Sequence, residues 1–436
     1  MRVAIVERHR FGGTCVNTGC IPTKTMIASA YVAHTARRAR DYGVNSAGDV
    51  TVDMKAVKAR KDAISQASSR GLEDWLRHLK NVTVFLGTAR FEDATTVRVN
   101  TDTLRADKIF INVGGRAYIP PLSGLEQTPF LTNSTMMDVD FLPKHLIIVG
   151  AGYVGLEFAQ MFRRFGSEVT VVEQGPRFLP REDEDVSDEI RRILESEGIQ
   201  FRLNATCISI NRAPDGTGII AGVDCQEGEP RVDGSHVLMA VGRIPNTDDL
   251  ELSRAGVQTD RRGYIKVDDQ CRTNVPGIWA LGDCNGRGAF THTSYNDFEI
   301  VAGNLLDNDP RKVSDRIPCY ALYTDPPLGR IGMTEEEVKS SGRKALIGKR
   351  PMSRVNRAVE RGETQGFMKV LVAEDTGEIL GAALLGLNAD EVVHSLLDVM
   401  YAHARYTVVR RAVHIHPTVS ELIPTMLGEL TSLHVK

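Results

Sequence analysis

The chain has 436 residues, which at roughly 150 residues per domain suggests about three domains. Charged residues make up 25% and the hydrophobic set 42%, ordinary for a globular protein, and the formal charge is only −3. That near-neutral balance offers no electrostatic footprint for nucleic acid or an anionic membrane surface. No apolar run approaches the ~18 residues of a spanning helix. The opening residues Met1–Glu7 are charged and show no secretory apolar core. The 7 cysteines are thinly spread, which excludes a disulfide scaffold and points to a reducing, cytoplasmic setting.

In chain order, Val3–Glu7 reads as a strand ending in an acid. Amphipathic helical stretches follow from about Pro22 to Arg40 and from about Met54 to Lys80. Strand-like pieces stand at Val82–Leu86, Thr96–Asn100 and Lys108–Val113. Pro120-Pro121 and the residues up to Pro143 read as a linker. Leu146–Val149 is a short buried-strand run, followed at once by Gly150-Ala151-Gly152-Tyr153-Val154-Gly155. A helical stretch then runs to Phe165, Gly166 fits a C-cap, and Glu168–Val172 is the next strand. Gly242–Asn246 closes this unit, and a third segment contains Ile278–Asp283. Past Pro318 come strands such as Met368–Ala373 and Ile379–Leu385, with helices near Asp390–Ala404 and at the C-terminus. The alternation of strands and helices is that of α/β architecture.

A lone G-x-G-x-x-G is weak evidence. This one follows a strand, opens a helix, and has Glu173 at the tip of the next strand, which is the context of a dinucleotide site. Gly150 permits the tight turn, Gly152 lets a pyrophosphate approach the backbone, and Gly155 allows close helix–strand packing. Glu173 can accept hydrogen bonds from a ribose diol and would repel a 2′-phosphate, which favours NADH. Arg177 nearby keeps NADPH open. Val3-Ala4-Ile5-Val6-Glu7 echoes Val169-Thr170-Val171-Val172-Glu173. Glu7 thus reads as the ribose-binding acid of a first dinucleotide unit whose opening strand, glycine turn and helix are missing.

Cys15 and Cys20 form a close pair, whereas Cys207, Cys225, Cys271, Cys284 and Cys319 are isolated. Zinc needs four ligands, usually as two short pairs, and no second pair exists, so a redox dithiol is the better reading. The two lie about 140° apart on a regular helix and could bridge only over a distorted turn, for which Gly19 and Pro22 supply the irregularity. A helix starting near Pro22 would bring its positive end to the sulfurs and favour a thiolate. The plain alternative is two small buried cysteines. Thiol–disulfide exchange also needs a proton donor and acceptor. His414-Ile415-His416-Pro417-Thr418-Val419-Ser420-Glu421 offers one in His416, though Thr418–Glu421 also reads as a capping box opening a helix.

Taken together, these residues resemble the flavoprotein pyridine nucleotide–disulfide oxidoreductases, the family of dihydrolipoamide dehydrogenase, glutathione reductase and mercuric reductase. The resemblance covers essentially the whole chain. Its most specific part is Gly12-Gly13-Thr14-Cys15-Val16-Asn17-Thr18-Gly19-Cys20-Ile21-Pro22-Thr23-Lys24. The second fingerprint, Val241-Gly242-Arg243, Gly282-Asp283, and His416-Pro417-Thr418 with Glu421 stand in family order. The resemblance implies an α/β fold with two Rossmann-like domains, for FAD and NAD(P), and a C-terminal α+β dimerisation domain. The FAD-binding domain would span 1–120, the NAD(P)-binding domain 121–245, a central part completing the FAD domain 246–316, and the interface domain 317–436.

The resemblance also implies roles. Cys20 would lie against the flavin as the charge-transfer thiolate, and Cys15 would exchange with the substrate. His416, oriented by Glu421, would be the acid–base catalyst for the dithiol of the other subunit, so that the site needs a homodimer. Lys24 and Glu157 would pair beside the flavin, where a cation stabilises negative charge on the reduced ring. Tyr153 would cover the flavin until nicotinamide displaces it. Asp283 would bind the ribitol, and Gly13, Thr14, Gly114 and Thr291 would line the flavin. Gly150, Gly152, Gly155, Glu173 and Gly242 belong to the implied nucleotide-binding set.

The family opens with a strand, a glycine turn and a helix that hold the FAD pyrophosphate. This chain starts at the following strand, so roughly thirty residues of a βα unit are absent. The neighbours of that strand are then expected to lack a partner. A start misplaced at an internal Met1, or a fragment, would explain this. Mercuric reductases carry an additional cysteine pair near the C-terminus, and no cysteine follows Cys319 here. Glutathione reductases place arginines where Glu173 stands. The expected activity is dihydrolipoamide dehydrogenase-like. The alternatives are a mercuric-reductase-like oxidoreductase of other substrate, and an inactive NAD-binding dimer lacking FAD.

Overall fold

The computed structural model describes residues 1–45, 48–214, 216, 218–224 and 230–433; Cys225 lies outside them. Strand β1 (Val3–Glu7) leads through Gly12 into the short helix α1 (Gly13–Asn17) and then α2 (Cys20–Arg37). Helix α3 (Met54–His78) is capped by Asp53, whose carboxylate accepts the N–H groups of Lys55 and Ala56. Strand β2 (Val82–Leu86) pairs in parallel with β1, from Val3–Val82 to Glu7–Leu86. A meander of β3 (Ala89–Phe91), β4 (Thr96–Val99) and β5 (Asp102–Arg105) follows, and then β6 (Ile109–Ile111) and β7 (Gly115–Ala117).

The second unit is built on β8 (His145–Val149), whose Leu146, Ile147, Ile148 and Val149 are all buried. An unbroken apolar run suits a parallel strand covered on both faces. Its neighbours are β9 (Glu168–Val172), β10 (Gln200–Arg202) and β14 (His236–Met239), in the order β10-β9-β8-β14. On one face lies α4 (Tyr153–Phe165), which buries Leu156, Phe158, Phe162 and Phe165 beside Leu146 and Ile148. Each such side chain contributes about 1.5–3 kcal/mol through burial. The helix stops at Gly166, at φ 123. On the other face, Ile147 and Val149 pack with residues of an antiparallel sheet of β11 (Thr206–Arg212), β12 (Ile219–Asp224) and β13 (Arg231–Gly234). Helix α5 (Glu184–Ser196) follows β9, and β15 (Arg243–Pro245) pairs back onto β7.

Strand β16 (Ile278–Ala280) pairs in parallel with β6, and α6 (Thr291–Ala302) follows. The four parallel strands of the first unit thus lie in two separate pairs, β1-β2 and β16-β6, whereas the second unit has one four-stranded sheet. The echo between the two units extends to hydrogen bonding. Glu7 accepts the N–H of His9, as Glu173 accepts that of Gly175, two residues on in each case.

The last unit is a six-stranded sheet of β17 (Cys319–Leu322), β18 (Leu328–Gly332), β19 (Ala345–Pro351), β20 (Phe367–Ala373), β21 (Ile379–Leu385) and β22 (Thr431–Ser432), ordered β17-β18-β21-β20-β19-β22. Strands β20 and β21 are buried throughout. Met368, Val370 and Val372 face the core of this unit, while Lys369 points the other way, to Asp183 and Asp185 at the start of α5. Helix α7 (Glu335–Ser340) contributes Glu335 to the same cation.

Three expectations need correction. Residues 120–143 are not a free linker, because Met136, Met137 and Val139 are buried in the main core. The helical stretch to Arg40 ends at Arg37 and continues as a 3₁₀ turn closed by Gly43 at φ 74. The helix near Asp390–Ala404 is two pieces, Ala389–Val392 and His394–Tyr401. No described helix is long and apolar enough to cross a membrane.

Candidate active site

The thiol pair sits where two helices meet. Cys15 lies within α1, and Cys20 is the first residue of α2, two positions earlier than the expected start at Pro22. A turn through Thr18 and Gly19 separates the two helices, in line with the distorted turn inferred from spacing, but Pro22 lies inside the second helix. Gly19 permits the turn, since a Cβ there would fall 2.8 Å from the Thr14 carbonyl oxygen. Both cysteines are free thiols, hydrogen-bonded to each other. The Cys15 hydrogen bond holds the Cys20 thiol down, to about 5. Burial opposes this, and the Thr291 hydroxyl (3.4 Å away) and the Lys24 ammonium add to the lowering. Cys15 is pushed up, first by its bond to Cys20 and then by burial. One sulfur is thus poised as a thiolate and the other as its proton-bearing donor.

Lys24 stands one turn after Cys20 on α2. Its ammonium reaches both carboxylate oxygens of Glu157, at 2.9 and 2.8 Å. Glu157 is buried and also accepts the Tyr323 N–H, and Lys24 lies over the Tyr323 ring. The pair joins α2, α4 and the segment after β17. Nothing local in the sequence singles out Tyr323.

The three glycines of the fingerprint differ in their surroundings. Gly150 has φ 106, and a Cβ on Gly155 would lie 2.1 Å from the Gly150 carbonyl oxygen. At Gly152 a Cβ would meet nothing within 4 Å, so open space faces the helix N-terminus. Glu173 accepts the N–H groups of Ala151 and Gly175, both at 2.8 Å, which ties the acid to the glycine turn. Arg177 is half-buried beside it.

Gly13 and Gly114 have φ 58 and 64 and open space where a Cβ would stand. Between them, Arg243 reaches the Gly115 carbonyl, Thr14 and, at 3.6 Å, Asp283. Burial pushes the Asp283 carboxyl up, and Arg243 opposes it. Two glycine-lined openings, a carboxylate able to accept from a diol, and the Cys20–Thr291 contact form a cradle that fits a flavin and its ribitol. Gly242, at φ 125, also faces open space. Arg243 stands in the Val241-Gly242-Arg243 motif, but nothing local in the sequence signals its bracing of three cradle residues.

His416 lies elsewhere, on an exposed loop before the helix Leu422–Met426, where Val413 is 100% and Ile415 80% accessible. Its Nδ1–H donates to Glu421 at 2.8 Å. The capping box is only half made: Thr418 Oγ1 accepts the Glu421 N–H, but the Glu421 carboxylate turns to His416. Among the described residues, neither thiol is a hydrogen-bond partner of His416.

Residues 1–297 match the family model described as pyridine nucleotide-disulphide oxidoreductase, and residues 319–427 match that family's dimerisation domain. This chain belongs to the pyridine nucleotide–disulphide oxidoreductases. It is 34% identical to the Escherichia coli "Probable pyridine nucleotide-disulfide oxidoreductase RclA" over 99% of this chain and 93% of that protein. It is 31% identical to "Dihydrolipoyl dehydrogenase 3" of Haloarcula marismortui over 97% of this chain and 90% of that protein. A solved structure of RclA, titled an HOCl-induced flavoprotein disulfide reductase, superposes with a TM-score of 0.89 at 33% identity, covering 98% of this chain and 94% of that one. As a pyridine nucleotide–disulphide oxidoreductase, the chain is a flavoprotein enzyme of a family that depends on FAD and uses NAD(P)H.

Proposed function

We propose that the chain passes electrons from NADH, favoured by Glu173, through FAD to the Cys15–Cys20 pair and on to a small external disulfide, with lipoamide the first substrate. The carrying observation is the asymmetric thiol pair at the head of α2. FAD, when bound, supplies the two-electron transfer between nicotinamide and sulfur. Lys24, fixed by Glu157, places a positive charge beside that cofactor, and Asp283 holds its sugar chain.

Cys15 gives its proton to His416 of a second copy of the chain and, now a thiolate, attacks one sulfur of the substrate. The substrate S–S bond breaks, and the leaving sulfur takes that proton back from His416. The Cys20 thiolate then attacks the Cys15 sulfur of the mixed disulfide, releasing the second substrate thiolate and forming the Cys15–Cys20 bond. Two electrons have moved to the substrate. The reading therefore includes a homodimer.

The test is a side-by-side assay of the flavin-loaded protein with NADH and lipoamide, glutathione disulfide or Hg(II). Lipoamide turnover that vanishes in Cys15→Ser and Cys20→Ser supports the reading. Turnover untouched in both variants overturns it. A second reading keeps the thiol chemistry with a different acceptor. It is favoured by the similarity to RclA, which is no weaker than that to dihydrolipoyl dehydrogenase 3. A flavin-free dimer that binds NADH would instead match the inactive alternative.

A further inference from the structure

Tyr153 opens α4, and Glu157 follows one turn later on the same face, where it holds Lys24. The Tyr153 ring is therefore on the side of the helix that looks toward the thiol pair. Its hydroxyl donates to Glu182 Oε1 at 2.8 Å. The Tyr320 hydroxyl, from β17, donates to the same oxygen at 2.6 Å, and the two rings lie 5.5 Å apart. Tyr320 stacks in turn on Phe290, next to the Thr291 that reaches Cys20.

Glu182 is only 3% exposed, and among the described residues its Oε2 has no hydrogen-bond partner. Its neighbour Asp183 is pinned at 2.9 Å by Arg330 and at 2.8 Å by Lys369, both from the C-terminal sheet. Burial first, and then the Glu182 charge, pushes both phenols well above their ordinary range, so they stay protonated donors.

We propose that Glu182 is a positioning residue that tethers the Tyr153 ring across the nicotinamide path and draws it back after each turnover. The proposal rests on the reading that this ring stands between nicotinamide and flavin. A phenol–carboxylate bond is charge-assisted and strong when buried. Swinging the ring aside breaks it and leaves a buried acceptor short of a donor, which opposes nicotinamide binding. The C-terminal sheet sets the strength of the tether, because Tyr320, Arg330 and Lys369 hold the anchor still.

The experiment measures NAD⁺ affinity of the flavin-loaded protein by calorimetry, together with KM and kcat for NADH. Glu182→Leu and Tyr153→Phe should each tighten NAD⁺ by about tenfold, the scale of one charge-assisted hydrogen bond. KM and kcat should fall together, as product leaves more slowly. Glu182→Gln keeps the acceptor and should stay within about threefold of the parent. The double variant Glu182→Leu/Tyr153→Phe should match either single one, since both cut the same bond. Unchanged or weaker NAD⁺ binding in Glu182→Leu, or additive effects in the double variant, overturns the tether. If Glu182→Leu does not fold, Tyr153→Phe with Tyr320→Phe decides by the same criteria. Tyr153→Ala separates the layers. If it tightens NAD⁺ while Glu182→Leu does not, only the tether fails. If it changes nothing, the ring is not in the nicotinamide path and both ideas fall.

Discussion

His416 and Glu421 are locked together, with Nδ1 of the imidazole 2.8 Å from Oε2 of the carboxylate. The ionised carboxylate accepts from Nδ1–H, which leaves the lone pair on Nε2 for proton transfer. His416→Gln should lower kcat with a disulfide substrate by about 10²–10⁴-fold, the usual worth of a positioned acid–base group. Glu421→Gln, which keeps an acceptor but loses its charge, should cost less. Reduction of the bound flavin by NADH in a single turnover should be unaffected in both. Equal loss in the two half-reactions would refute the assignment.

The low Cys20 thiol is held down chiefly by Cys15. Thiolate absorbance of the reduced protein should therefore show one ionisation near pH 5. Cys15→Ala removes the donor and should move that step upward by several pH units. Cys15→Ser keeps a hydroxyl donor and should move it little. If the two variants titrate alike, the hydrogen bond is not the cause.

Gly152 and Gly155 look equivalent in the fingerprint but fail differently. A Cβ at Gly155 would sit 2.1 Å from the Gly150 carbonyl oxygen, while one at Gly152 meets nothing within 4 Å. Gly155→Ala should destabilise the second unit and lower the melting temperature. Gly152→Ala should leave the melting temperature near the parent value and weaken NADH by tenfold or more, because its methyl group fills space meant for the pyrophosphate. Matching behaviour in melting and binding assays would contradict this division.

Lys369 is 1% exposed and gathers Asp183, Asp185 and Glu335 within 2.8 Å. Burial alone would raise both aspartates, but Arg330 and Lys369 at Asp183, and Lys369 and Lys349 at Asp185, outweigh it and hold them low. Lys369→Met strands these carboxylates and should cost about 3–5 kcal/mol near neutral pH. A depressed folded-state pKa gives stability that is present above the unfolded value, about 3.9, and is lost as pH falls below it. The parent should therefore lose stability in that acid range. The variant lacks this depression, so its deficit should shrink as pH falls below about 4. A deficit constant across that range, followed by thermal melts, would argue against the cation's role.

How much was legible depended on range. The fingerprint, its flanking strands and the Gly166 stop are local patterns, and the structure reproduces them within a residue or two. Residues 120–143 read as a linker because prolines mark their start, yet Met136 and Met137 are buried by partners far along the chain. The local pattern at Glu421 is a cap, and its partnership with His416 is implied only by the family resemblance; the structure gives the carboxylate to His416. Glu182 was hidden in the run Arg181-Glu182-Asp183-Glu184, which reads as a solvated face. Only Arg330 and Lys369, from strands nearly 150 or more positions later, reveal that two of its acids are buried.

The exposed loop that carries His416 has a consequence for genetics. On the proposed reading, His416 of one copy serves the sulfurs of the other, so two different lesions can be complementary. Chains carrying Cys20→Ser and chains carrying His416→Gln, each silent alone, should regain activity when unfolded and reassembled as a mixture. Each hybrid pair would possess one intact centre and one doubly broken one.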